Sequence, residues 1–212
     1  MITSMGIQEH VDVLPEAVHV WRTWTLHEDP RTRTPLLRPI GDDRRPWTPR
    51  EPMRARCSRR RSHRAPEERC SCGLYAVKSP QLLRAARAPA VLGTVDLWGR
   101  IMEHERGYRA EFGYPQRLGL ICPFCFWQRG ARTATVDHVA RVGHRALTPS
   151  CAPHLAIAID AGYPVAGLLD PTHVLGSLLA TYLVEPISHP QADRLTSSDT
   201  DRGAGTAGTP RR

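Results

Sequence analysis

The sequence is thin in the residues that build a large core. Of its 212 residues, 41% are apolar and only 6% aromatic, while 19 prolines and 16 glycines imply much irregular backbone. The expected ordered core is smaller than the length suggests, and small cores commonly need a metal or a disulfide to reach stability. Long hydrophobic runs are missing as well. The longest apolar-leaning stretch, residues 174–184, is far short of the roughly 20 residues that a membrane-crossing helix requires. The opening MITSMGIQEHVDVLPEA has neither a basic n-region nor a continuous apolar h-region. It does not read as a secretory signal, and a cytoplasmic chain is expected. There are no internal repeats and no convincing catalytic motif.

Acidic residues are scarce where basic ones are dense. Nine arginines (Arg44, Arg45, Arg50, Arg54, Arg56, Arg59, Arg60, Arg61 and Arg64) fall within residues 44–64, against a single acid, Glu51. That stretch carries a net +8, equal to the formal charge of the whole chain, so the remainder is close to neutral.

What the chain does have is six cysteines. In an intracellular chain thiols stay reduced, so these read as metal ligands rather than disulfides. They divide into two triads, each with a histidine nearby. Cys122-Pro123-Phe124-Cys125 is a C-x-x-C knuckle, a tight turn that directs two thiolates at one ion. Cys151-Ala152-Pro153-His154 places a thiolate and an imidazole one helical turn apart, so both face the same point. A knuckle, a β segment and a helix carrying C-x-x-H is the layout of a treble-clef zinc finger. His138 or His144 is the alternative fourth ligand. The other group is Cys57, His63, Cys70 and Cys72, where Gly73 permits the tight backbone of a C-x-C knuckle. Its plainer alternative is free thiols packed under the following helix. Neither group shows the open position of a catalytic zinc, so two structural zinc ions are expected.

The secondary-structure pattern indicates an α+β chain. Residues 1–17 read as a flexible N-terminus. Residues 18–118 form a small β-rich domain, hairpin- or barrel-like and zinc-stabilised, holding the first site and the arginine-rich loop. Within it, residues 19–26 (HVWRTWTL) alternate as a strand, and residues 28–69 read as a long loop or weak hairpin anchored by Leu36, Leu37 and Trp47. Ser79-Pro80 opens a short helix to about Ala88. A hairpin follows, residues 91–104 returning over 108–112 through a Glu105-Arg106-Gly107 turn, with Gly93 and Gly99 marking bulges or a bend. Residues 119–186 form the treble-clef-like finger with C-terminal helices, a plausible one over 150–161 and a firmer one from Asp170-Pro171, and residues 187–212 form a disordered tail.

The middle of the chain also carries a family pattern. It runs His63-Arg64-Ala65-Pro66, then Cys70-Ser71-Cys72-Gly73-Leu74-Tyr75-Ala76, then Gly93 to Ile101 with Trp98-Gly99-Arg100, then Gly107-Tyr108-Arg109-Ala110-Glu111. Over about residues 19–118 this is similar to an uncharacterised zinc domain family of actinobacteria and their phages. The resemblance implies that the C-x-C-G segment and the Trp98 hairpin belong to one folded unit. It implies no catalytic residues.

Two functional classes follow. The first is a structural-zinc binding module that contacts nucleic acid or a protein partner through its basic arm and hairpin surface, with no membrane and no small-molecule substrate in evidence. Arginine pairs bidentately with phosphate, which supports the arm. The plainer reading is a solvated arginine-rich loop of the kind common in high-GC genomes. Trp21, Trp24 and Trp47 are expected in the core rather than as stacking platforms. Cross-strand ion pairs of Arg100 or Arg109 with a glutamate would account for the hairpin's charges. The second class is a divergent metal-dependent nuclease, because Asp137-His138 between the two halves of the second site resembles the ββα-metal core of His-Asn-His nucleases. Against it, Cys151 follows His138 by only thirteen positions, and the helix offers no further Asn or His to complete a catalytic site, since His154 is committed to zinc.

Overall fold

The structure is a computed structural model and describes residues 17–41, 45–59, 63–129 and 136–187. The expected flexible start to residue 16, the tail from residue 188, and Arg44, Arg60 and Arg61 lie outside the described residues.

The aromatic, β-branched segment around residue 20 forms strand β1 (Val18–Glu28). Its burial departs from simple alternation, because Val20 through Trp24 are all buried. Both faces of the strand are covered. Val20, Trp24 and Leu26 enter the main core, whereas Trp21 packs into a second cluster with Leu92, Ile121 and Phe126. Such a strand lies at the centre of the fold.

Around β1 the sheet closes on itself. β1 pairs antiparallel with β5 (Val91–His104), β5 with β6 (Gly107–Leu120), β6 with β4 (Leu74–Val77), and β4 returns to β1 at Val77–Trp21. β2 (Pro35–Pro39) folds back on β1, and β3 (Met53–Arg54) pairs with β6. Residues 28–69 are thus less irregular than expected. Their anchors Leu37 and Trp47 are almost wholly buried, while Leu36 is half-buried. The hairpin turn is two residues, Glu105-Arg106, and the return strand runs on to Leu120.

The glycines of β5 serve two purposes. Gly99 sits at φ +77°, where Gly99 and Arg100 together oppose Glu111, a bulge that aims Glu111 inward. Gly93 instead allows close approach, since a Cβ there would lie 2.4 Å from the Arg117 carbonyl and 2.8 Å from the Trp24 ring.

The second half of the chain extends the same sheet. β8 (Ala146–Ser150) pairs with β1, β7 (His138–Val142) with β8, and β9 (Val165–Leu169) with β7. Three helices flank it: α1 (Pro123–Arg129), α2 (Ala152–Asp160) and α3 (Pro171–Tyr182). Asp170 caps α3 by accepting the His173 N–H at 2.8 Å, and Val174, Leu178 and Tyr182 form its buried face. A last short strand, β10 (Glu185–Pro186), runs parallel to β6.

One expected helix is absent. Residues 80–83 make a single 3₁₀ turn, and the backbone does not continue helically to Ala88, which has φ +41°. The Ser79 hydroxyl bonds the Gln81 side chain rather than the backbone N–H groups it would cap, so nothing propagates the turn. The chain is therefore mixed but mostly β, with few helices. Among the described residues, no helix is long and apolar enough to cross a membrane.

Candidate metal centres

Each site is assembled at the ends of these elements. At the second, buried Ile121 and Phe126 pin the start of α1 to the sheet, and the Phe126 N–H donates to the Cys122 carbonyl at 2.9 Å. This turn presents Cys122 and Cys125 side by side. Cys151 follows β8 as the N-cap residue of α2, and the first turn of α2 brings His154 round beside it. The N-terminus of α2 is held from outside, where Ala152 N–H donates to the Asp137 carboxylate at 2.8 Å.

His154 Nδ1 lies 3.5 Å from the Cys122 sulfur, 3.3 Å from Cys125 and 3.0 Å from Cys151, and the Cys125 and Cys151 sulfurs are 3.6 Å apart. At the first site the Cys57 and Cys70 sulfurs are 3.7 Å apart, and Cys72 Sγ is 3.4 Å from His63 Nε2. In both groups, all four donor atoms lie within 4.8 Å of one another. A zinc ion with bonds of roughly 2.0–2.3 Å in a tetrahedron sets donor-to-donor edges of about 3.3–3.8 Å. A disulfide needs about 2.05 Å, so none is formed, and all six cysteines are free. Two groups of three thiols and an imidazole could each hold a metal ion, and the donor chemistry is consistent with zinc.

Packing works against ionisation of these thiols. Burial pushes the Cys125 thiol up to about 12, aided by neighbouring Cys151 and Cys122. Burial likewise raises Cys72 to about 11, with Cys70 and Cys57 adding to it. Packed thiols without a cation keep their protons, and a divalent ion reverses that preference by stabilising thiolates.

Among the described residues, the histidine that groups with Cys122, Cys125 and Cys151 is His154, not His138 or His144. His144 is exposed in the β7–β8 turn, and His138 opens β7 opposite Ser150. Among the described residues, neither Asp137 nor His138 belongs to any grouping of three or more potential metal ligands.

One residue has a role that the sequence reading did not foresee. Arg109 on β6 is buried, and its guanidinium donates to the carbonyls of Cys70, Cys72 (3.3 Å) and Glu67 (3.4 Å) and to His104 Nε2 (2.8 Å). It grips the backbone of the C-x-C knuckle. The cross-strand pairing expected for it with a glutamate is not formed, and Arg100 reaches Glu67 at 3.7 Å instead of a hairpin acid. The bulge residue Glu111, buried, takes Arg64 at 2.8 Å and Arg54 at 3.2 Å.

The described part of the basic stretch thus divides. Arg54 and Arg64 are engaged with Glu111, whereas Arg50, Arg56 and Arg59 are exposed and Arg45 is half-buried. Trp24 and Trp47 pack edge to face at 5.5 Å and, with Trp21, are buried core residues rather than platforms for bases. Compared with protein-family models, curated proteins and solved structures, the chain gives no match.

Proposed function

We propose that the protein is a binding module held together by two structural zinc ions, which offers an arginine-rich face to nucleic acid. The observation that carries the reading is the pair of Cys₃His donor sets, each with its four donor atoms within 4.8 Å of one another. Four protein donors leave no open position for substrate, which favours a structural ion. The order of knuckle, β7–β8 hairpin and α2 supports a treble-clef-like finger at the second site. Arg56 and Arg59 flank Cys57 of the first site and are exposed, so zinc would fix the base of a cationic arm. A relationship to the actinobacterial and phage-associated family belongs to the same proposal and rests on the motif residues alone.

The test is metal analysis of purified protein, followed by titration with duplex and single-stranded oligonucleotides across a salt series. Two zinc ions per chain and an affinity that falls with salt are expected. No metal, or binding indifferent to salt, overturns the reading. The nuclease alternative gains no observation, since the Asp137 carboxylate is spent on the end of α2. Magnesium-dependent cleavage abolished by His138→Ala would reinstate it.

A further inference from the structure

The two donor sets have the same composition, but solvent reaches them very differently. At the second, Cys122, Cys125 and Cys151 are only 1%, 4% and 6% exposed, and the Phe124 ring stacks on His154 at a centroid distance of 5.3 Å. At the first, Cys57, His63, Cys70 and Cys72 are all half-buried. Exposed residues flank its thiols in the chain, Arg56 and Ser58 beside Cys57, and Arg69 and Ser71 beside Cys70. A cavity of about 320 Å³ is bordered by Cys57, Cys70 and Cys72, and another of about 770 Å³ by Cys70 and His63. Cys70 is the thiol common to both.

Cys70 also has a second thiol within reach. Its sulfur is 3.7 Å from that of Cys57, and both residues sit on segments tied to β6. Arg109 holds the carbonyls of Cys70 and Cys72, while Ala55, two residues before Cys57, donates its N–H to the Glu111 carbonyl at 2.7 Å. Sulfurs held this close need a small displacement to reach the roughly 2.05 Å of a disulfide. Proximity alone does not single them out, because the Cys125 and Cys151 sulfurs are 3.6 Å apart. Access does. A thiol that coordinates a metal ion is deprotonated at either site, and cysteine oxidation follows thiolate character together with exposure.

We propose that Cys57 and Cys70 form a redox site at which hydrogen peroxide closes a disulfide and releases the ion of the first cluster. The Cys70 thiolate attacks one peroxide oxygen, the O–O bond breaks, and the departing oxygen takes a proton and leaves as water. The Cys57 thiolate then attacks the sulfur of the resulting sulfenic acid, the S–O bond breaks, and a second protonated oxygen leaves as water. Two thiolates, one peroxide and two protons thus become one disulfide and two waters. His63 and Cys72 remain, two donors where four are needed. The inference rests on the first cluster holding zinc.

The test treats the full, zinc-loaded chain with hydrogen peroxide beside a zinc indicator and maps its thiols by non-reducing peptide mass spectrometry. Trypsin cuts after Arg56, Arg59, Arg69 and Lys78, so a Cys57–Cys70 bond joins two peptides, whereas a Cys70–Cys72 bond stays within one. Expected are loss of one of the two ions, a Cys57–Cys70 bond located by fragmentation, and Cys122, Cys125 and Cys151 still open to alkylation after unfolding. Dithiothreitol with added zinc should restore the lost ion. Simultaneous loss of both ions, earlier loss from the second site, or a disulfide confined to residues 70–78 overturns the proposal. The zinc count before treatment separates it from the reading beneath it. A first site empty at the start overturns both, whereas zinc that is bound there and indifferent to peroxide overturns this one alone.

Discussion

Arg109 shows how much a candidate metal centre owes to residues outside its donor set. Its guanidinium holds three carbonyls of the segment that carries Cys70 and Cys72, so the knuckle is shaped before any ion arrives. Loss of such outer contacts typically weakens metal binding by about 10–100-fold. Arg109→Gln is therefore expected to release the first-site ion at a lower chelator concentration while leaving the second unaffected. Arg109→Lys should not rescue it, because an ammonium lacks the fork. Chelator competition with a zinc indicator reads both ions, and unchanged release in both variants would rule the role out. The two Cys/His clusters were legible, since C-x-x-C, C-x-x-H and C-x-C are local spacings. Arg109 was not, because it meets the knuckle from 37 to 42 residues away. Glu111 is a similar case. Burial works to raise its carboxyl, but Arg64 and then Arg54 outweigh this and hold it below the ordinary 4.5. A carboxyl lowered on folding adds stability above its unfolded value, and that stability is lost as pH falls through the folded value. The stability gap between the parent and Glu111→Gln, measured by urea titration at saturating zinc, should therefore be full at pH 6 and shrink below about pH 4.5. A constant gap would mean that the charge is not what matters there.

At the level of elements, two helices of similar origin are held in different ways. α3 buries Val174, Leu178 and Tyr182 against the core, whereas α2 buries only Leu155. The apolar spacing of α3 announced both its position and its packing, and the structure follows it from the Asp170 cap onward. For α2 the C-x-x-H spacing was informative, but the helix is held at its start by the Cys/His cluster and by Asp137, which no periodicity reveals. The failed helix after Ser79 has a related cause, because a good cap signal does not form a helix without a partner face to propagate it. α1 went unread since a seven-residue helix beginning inside a knuckle is too short to display a period. These differences predict an asymmetric response to metal removal. Treatment with a strong chelator should speed amide exchange along residues 152–160, while residues 171–182 keep most of their protection. Hydrogen-exchange mass spectrometry decides the matter, and equal loss of protection in both helices would show that the metal holds more than α2.

Across the whole molecule, one continuous sheet joins the stretch expected as a β-rich domain to the stretch expected as a finger. β1 pairs with β8, and Arg141 on β7 meets the buried Glu28 on β1 at 2.7 Å. Such long-range pairing was hidden in the sequence because strands tens of residues apart carry no mutual signature, whereas the hairpin of β5 and β6 was readable from its turn. Tyr182 ties the last helix into this arrangement from its end. Its hydroxyl accepts the Leu37 N–H at 3.1 Å and donates to the Trp47 carbonyl at 2.7 Å, while its own carbonyl accepts the Tyr114 hydroxyl at 2.8 Å. Tyr182→Phe keeps the ring and the volume but strands a buried N–H and a buried carbonyl, at a cost of about 1–3 kcal/mol. For a chain of this size that corresponds to a melting temperature lower by about 3–10 °C. Because Leu37 and Trp47 belong to the same core as β1, the loss should propagate through the molecule rather than free α3 alone. Far-ultraviolet circular dichroism and tryptophan fluorescence are expected to shift together in one transition. A variant whose helical signal melts early while Trp24 and Trp47 stay buried would show that α3 is an independent appendage and that the sheet does not couple the two halves.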